Sequence, residues 1–134
     1  MLLDANAVFL PVRVGFPLEA EVGRLRPGAV LAVPASVLAE LDRLIDRRTP
    51  DSAAARALAE RYRPTRSSGI GDDAILRTAV RTGAWVVTAD RALRERLTAK
   101  GITVLSPRDR HRLELFPGVR TSVGTPRKRR SGNG

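Results

Sequence analysis

The sequence predicts an α/β fold in which a parallel sheet is covered by helices. Short apolar runs of strand length, at 1–3, 29–33, 84–88 and 102–105, alternate with longer stretches of helical period. The 134 residues suit one domain, whose core can bury about two thirds of the unfolded surface. The chain has no cysteine and no internal repeat, so neither a disulfide scaffold nor a solenoid competes with this reading.

Met1-Leu2-Leu3 reads as a very short first strand, with Asp4-Ala5-Asn6 at its end. Leu10 to Val14 extends it or forms a loop. Pro17 stands as a first-turn proline, and Leu18, Val22 and Leu25 repeat at helical spacing up to Pro27-Gly28. Ala29 to Val33, ended by Pro34, reads as a buried strand, followed by a helix from about Ala35 to Asp46. Thr49-Pro50 opens an alanine-rich helix running to about Tyr62, and 63–70 is a loop or a weak strand. Gly71 precedes a helix over 72–82 that Gly83 ends. Ala84 to Thr88 is a strand, Asp90 to Lys100 a helix, and Ile102 to Leu105 the last strand. Residues 117–134 carry Arg120, Arg127, Lys128, Arg129 and Arg130, no acid, and many Gly, Ser, Thr and Pro. They read as a disordered basic tail on a body of residues 1–116.

Charge points to the partner. The chain has 24 Lys and Arg against 14 Asp and Glu, a formal +10, and only Lys100 and Lys128 are lysine. Without the five tail cations the body retains 19 basic and 14 acidic residues, still +5. Arginine grips phosphate with a planar fork, so RNA or another polyanion is the expected partner. A GC-rich genome would produce the same arginine excess with no function attached. No run is long enough to span a bilayer, and the first residues lack signal-peptide character, so no membrane role and a cytoplasmic, reducing setting are expected. The lone His111 disfavours a histidine metal site and a Ser-His-Asp triad. Gly69 and Gly71 make no phosphate loop, because no Gly-Lys-Ser or Gly-Lys-Thr follows.

Several acids are not placed as solvent charges. Asp4 ends the first strand. In helix 35–46, Glu40 falls beside Val37 and Leu44 at the edge of the apolar face, while Asp42 and Asp46 fall away from it. In helix 72–82, Asp72 sits in the stripe of Ile75, Leu76, Ala79 and Val80, and Asp73 at its margin. Asp90 follows the strand Trp85-Val86-Val87-Thr88. Taken singly, Asp72, Asp73 and Asp90 read as helix caps, Asp4 as a strand-end cap and Glu40 as an edge residue. Taken together they fall where ligands bind in open α/β sheets, beyond the carboxyl ends of strands. Converging carboxylates repel unless cations or protons compensate, and Mg²⁺ or Mn²⁺ with oxygen ligands is the natural partner. Such ions orient a phosphodiester and activate water.

Leu3-Asp4-Ala5-Asn6-Ala7, Val33 to Leu41 around Glu40, Gly71-Asp72-Asp73-Ala74-Ile75-Leu76 and Val86-Val87-Thr88-Ala89-Asp90 resemble, in order, the acidic motifs of the PIN-domain ribonuclease family. The resemblance covers about residues 1–115. It is nearest the archaeal branch beside the VapC toxin nucleases and the PIN nucleases of ribosomal RNA processing. It implies a three-layer α/β/α fold with a short central parallel sheet, and a metal pocket of Asp4, Glu40, Asp72 and Asp90. Asp4, Asp72 and Asp90 would be ligands, Glu40 a ligand or the positioner of water, and Asp73 a further acid. Asn6 and Thr88 would support the site by hydrogen bonds. The implied activity is Mg²⁺- or Mn²⁺-dependent endoribonuclease action leaving a 3′-hydroxyl and a 5′-phosphate, in a toxin-like or processing role. The alternative is a non-catalytic RNA-binding module in ribosome assembly. A homodimer, and an antitoxin or a ribosomal precursor as partner, are also implied. Ala5 and Ala92 depart from residues common in the family, which implies a weaker hold on a second ion.

The arginines supply candidate RNA contacts: Arg108, Arg110 and Arg112 around His111 after the last strand, and Arg127, Lys128, Arg129 and Arg130 in the tail. Arg91, Arg94 and Arg96 read mainly as a solvated face. With aromatics at 4%, base stacking is not the main mode of binding, and Trp85 reads as core or dimer contact.

Overall fold

The computed structural model describes residues 1–119; Arg120 and the tail cations Arg127, Lys128, Arg129 and Arg130 lie outside them. The first strand, β1 (Leu2–Leu3), stops after two residues because Asp4 caps a helix, α1 (Ala5–Val14), by accepting the Ala5 N–H at 2.8 Å. Residues 10–14, expected as strand or loop, are therefore helical. Pro11 disguised this helix, since an interior proline removes one backbone donor and ordinarily breaks helical geometry. Buried Ala7, Val8 and Phe9 hold it, and Gly15 (φ 64°) closes it with its N–H on Leu10 O and Pro11 O.

The chain continues through α2 (Leu18–Leu25), β2 (Ala32–Pro34), α3 (Ala35–Asp46), α4 (Ser52–Ala59) and β3 (Arg63–Thr65). It ends with α5 (Gly71–Thr82), β4 (Val86–Val87), α6 (Arg91–Ala99), β5 (Val104–Pro107) and β6 (Leu113–Phe116). Helix α4 starts later than Thr49-Pro50 because Arg48 and Asp51 both take left-handed backbone at φ 58° and 67°. Strand β6 was not anticipated. It returns antiparallel on β5 after the turn at 108–112, and its Leu113-Glu114-Leu115-Phe116 is too short and mixed to read as a strand. The body's contacts also run past Phe116: Gly118 N–H donates to Thr103 Oγ1 at 3.2 Å and Val119 N–H to Thr98 O at 2.8 Å.

The six strands form one mixed sheet in the order β3-β2-β1-β4-β5-β6, parallel except for β6 and flanked by the helices. Both faces are covered, so the central strands are almost wholly apolar: Leu3, Val86, Val87, Val104 and Leu105 have no exposed surface, and the buried Ser106 of β5 donates to Thr88 O. Each such side chain stabilises the fold by about 1.5–3 kcal/mol relative to exposure. Leu41 of α3, Leu93 and Leu97 of α6 and Ala79 of α5 complete the core. The strand order reverses at β1, which pairs with β2 on one side and β4 on the other. The connections on its two sides leave in opposite directions there, opening a crevice beyond the carboxyl ends of β1 and β4. No helix among the described residues is long and apolar enough to cross a membrane.

Candidate active site

Asp4 and Asp90 occupy the two strand ends at that crevice. The Asp4 N–H donates to Val87 O at 3.1 Å, which fixes the end of β1 against β4. The Asp4 carboxylate is buried, and its Oδ2 accepts hydrogen bonds from Asn6 Nδ2 and from Thr88 Oγ1, both at 2.9 Å. Thr88 is fully buried and also accepts the Asp90 N–H at 3.1 Å. Asn6 Oδ1 in turn accepts the Ala89 N–H at 2.8 Å. Asp90 caps α6 by accepting the Leu93 N–H at 3.0 Å through Oδ1. Asp90 caps a helix as expected, Asp4 caps α1 and not merely a strand end, and Asp72 and Asp73 cap nothing, since α5 has no side-chain cap. A carboxylate has about four acceptor positions, so capping leaves room for a further ligand.

Glu40 and Asp72 reach the same crevice from α3 and α5. Both are half-buried, and neither makes a hydrogen bond or an ion pair among the described residues. Two acids are therefore held by hydrogen bonds and two are not. All four line one cleft of about 750 Å³. Asp73 does not. It faces outward and pairs with Arg96 at 2.7 Å, which settles the position of the neighbouring acids on α5: Asp72 inside, Asp73 outside.

The cleft penalises negative charge. Burial pushes the Asp4 carboxyl above its ordinary range, opposed by the hydrogen bonds from Thr88 and Ala5 and reinforced by the charges of Asp72 and Asp90. Burial also raises Glu40, with Asp4 and Asp72 adding to the effect and Arg43 opposing it. Asp72 is raised by burial and by Asp90 and Asp73, against Arg96. Such mutual influence requires the carboxylates to be close in space. A positive charge placed among them would relieve that repulsion. The donors are all oxygen, with no thiolate or imidazole among them, which suits a hard divalent cation. As the side chains stand, no three acids among the described residues share a position from which they could hold one ion. The arrangement is an open acidic cleft in which hydrogen bonds hold Asp4 and Asp90 but not Glu40 and Asp72.

The cations at this cleft were not the ones expected. Arg13, Arg43 and Arg47 line it, together with the apolar Phe9, Leu10, Val14, Leu44 and Ile70. Arg43 on α3 and Arg47 at its C-cap follow Glu40 at helical spacing, a signal present in the sequence once Glu40 is singled out. Arg13 lies over the Phe9 ring at 4.0 Å and donates to Pro50 O at 3.1 Å. Arg108, Arg110, Arg112 and His111 sit in the exposed β5–β6 turn, on the carboxyl side of the sheet, but do not line the cleft. Arg91 pairs with Glu95, and Arg94 covers Phe116 at 4.0 Å. Trp85 is half-buried beneath Arg26, whose guanidinium lies 4.2 Å from the ring.

Residues 1–110 match the family described as PIN like domain. The chain belongs to that family. The PIN-like fold recurs in the structure of the PIN domain endonuclease Utp24, with a TM-score of 0.73 over 90% of this chain and 94% of that one, at 22% identity. Likeness at that identity is likeness of fold. No curated protein sequence matches this PIN-like chain.

Proposed function

We propose that this PIN-like domain is a Mg²⁺- or Mn²⁺-dependent endoribonuclease of the cytoplasm, cutting RNA phosphodiester bonds at the cleft of Asp4, Glu40, Asp72 and Asp90. One observation carries the reading. Four carboxylates from separate segments of the chain line a single cleft in a protein of net charge +10, with three arginines on the same walls. A phosphatase acting on small molecules would use the acids but not the basic surface.

Asp4, Asp72 and Asp90 would hold the ion, with Glu40 as a further ligand or as the group orienting the attacking water. When bound, a divalent cation lowers the pKa of that water and neutralises charge developing on phosphorus. Asn6 and Thr88 keep the Asp4 carboxylate in one orientation through two donated hydrogen bonds. Arg43 and Arg47, exposed and unpaired among the described residues, would clamp phosphates flanking the scissile bond. The attack is in line, and the leaving 3′ oxygen departs as a hydroxyl while the phosphate stays 5′. A toxin role and a processing role share this chemistry; inhibition by an antitoxin segment would distinguish the first.

The test is cleavage of labelled RNA with Mn²⁺ by the parent, Asp4→Asn, Glu40→Gln, Asp72→Asn and Asp90→Asn. Glu40 and Asp72 make no structural hydrogen bonds, so their variants lose activity without loss of fold. Each is expected to lose about 10²–10³ in kcat, the scale of removing one preorganised charge-stabilising group. Cutting by all four variants at the parental rate sinks the assignment. A parent that binds RNA and never cuts it, at any Mn²⁺ concentration, returns the chain to the RNA-binding alternative.

A further inference from the structure

A second concave site lies outside the acidic cleft, where the segment after β3 meets the exposed face of α5. Its volume is about 440 Å³, and it is lined by Arg66, Ser67, Ser68, Arg77, Thr78 and Arg81. None of them is a carboxylate, and all but Thr78, whose hydroxyl is spent on Ala74 O at 2.8 Å, keep a hydrogen-bond donor for a ligand. Arg77 and Arg81 stand one turn apart on α5, about 6 Å along its axis. Neither they nor Arg66 form an ion pair among the described residues. The two helix arginines brace the loop instead: Arg77 Nη2 donates to Ser68 O at 3.2 Å and Arg81 Nη2 to Arg66 O at 2.7 Å. Each uses one of its five N–H donors there, which leaves the fork free. Gly69 makes the close approach feasible. Its φ of 85° suits glycine, and a Cβ at that position would run into the Arg77 guanidinium.

From this arrangement we propose that Arg66, Arg77 and Arg81 form a second binding site for the phosphate backbone of RNA, engaging a strand whose scissile bond lies at the acids. The proposal rests on the ribonuclease reading of the cleft. Three guanidinium groups without acid partners around hydroxyl donors form a site for phosphate oxygens. RNA is the favoured bearer of that phosphate because the two sites share one segment. Residues 66–68 line the arginine site, and Ile70, Gly71 and Asp72 line the cleft, so a strand leaving the acids over Ile70 meets the arginines next. The site sets a length requirement: oligomers too short to reach it lose its contribution.

The experiment compares a labelled single-stranded RNA of about ten nucleotides, roughly 3.4 Å or more per nucleotide, with a tetranucleotide confined to the cleft. Binding is read by fluorescence anisotropy over a salt series, with circular dichroism and thermal midpoint as folding controls. The variant is the double Arg77→Gln, Arg81→Gln, which removes two charges while keeping an N–H donor for the loop carbonyls. The expected result is about tenfold weaker binding of the longer RNA and a salt slope shallower by about 1.4, at about 0.7 per phosphate contact. Binding and cleavage of the tetranucleotide stay parental. Unchanged binding of the longer RNA overturns the proposal, as does equal weakening for both lengths. Length-dependent weakening in the variant, beside a parent that cuts neither RNA, upholds the site and refutes the ribonuclease reading.

Discussion

Thr88 Oγ1 donates to Asp4 Oδ2 at 2.9 Å, so one buried hydroxyl joins the ends of two parallel strands at the point where the sheet changes direction. The same oxygen accepts the Asp90 N–H at 3.1 Å. Thr88→Val keeps the branched shape but leaves both neighbours short of a partner. It should cost about 1–2 kcal/mol, the penalty for a buried polar group losing its partner, with a larger proportional loss of Mn²⁺ affinity than of stability. Thermal unfolding with and without Mn²⁺ measures both. A variant as stable and as metal-competent as the parent would show that the hydroxyl does not organise the site.

Asp4, Glu40 and Asp72 all have carboxyls raised by burial and by neighbouring acids. A group whose folded pKa lies above its unfolded value contributes stability that is complete below the ordinary carboxylate range. That contribution is lost as pH rises through the folded pKa. The acids thus destabilise the neutral-pH fold, and Glu40→Gln or Asp72→Asn should raise the melting temperature there. The gain should shrink as pH falls and vanish below the ordinary carboxylate range, where the acids are protonated in both the folded and the unfolded chain. Mn²⁺ should raise the parent's melting temperature more than either variant's. A gain that persists unchanged at acid pH would point to packing instead of charge.

Arg43, on the same helix as Glu40, and Arg47, at that helix's C-cap, line the cleft. Arg43→Ala with Arg47→Ala should raise KM for RNA by roughly tenfold and flatten its salt dependence by about 1.4 in slope. The turnover rate at saturation should change little, because these groups contact phosphates in ground state and transition state alike. A fall in kcat with KM unchanged would give them a role in the chemical step.

Glu21 clamps β6 to α2. Its Oε1 accepts the Leu113 N–H at 2.9 Å, and Arg24, which holds it through two hydrogen bonds, donates to Leu113 O at 2.9 Å. The Arg24 hydrogen bonds hold the Glu21 carboxyl down at about 2. A depressed carboxylate contributes stability above its ordinary value of 4.5, and the contribution fades as pH falls toward 2. Amide exchange of Leu113–Phe116 should therefore accelerate over that window before the central strands open. Arg24→Gln should produce the same local loss at neutral pH. Uniform exchange across the sheet in either case would show that β6 is not held by this pair.

The alternation of elements, the order of the four acids and the family they announce were all legible in the sequence. They are local signals: strand runs stop at Asp4 and just before Asp90, and Glu40 and Asp72 fall at set angles on helices. What the sequence could not decide depends on contacts across the chain. Helix α1 forms despite Pro11 because Asp4 caps it and Ala7, Val8 and Phe9 find the core. Strand β6 exists because Glu21 and Arg24, far away in sequence, satisfy the backbone of Leu113. Asp72 was separated from Asp73 by where Arg96 stands, and the arginines of the cleft became Arg13, Arg43 and Arg47 because α1 and α3 meet beside β1. Periodicity assigns a side chain to a face of its own element. Only packing decides what that face meets, and charge acts across that meeting.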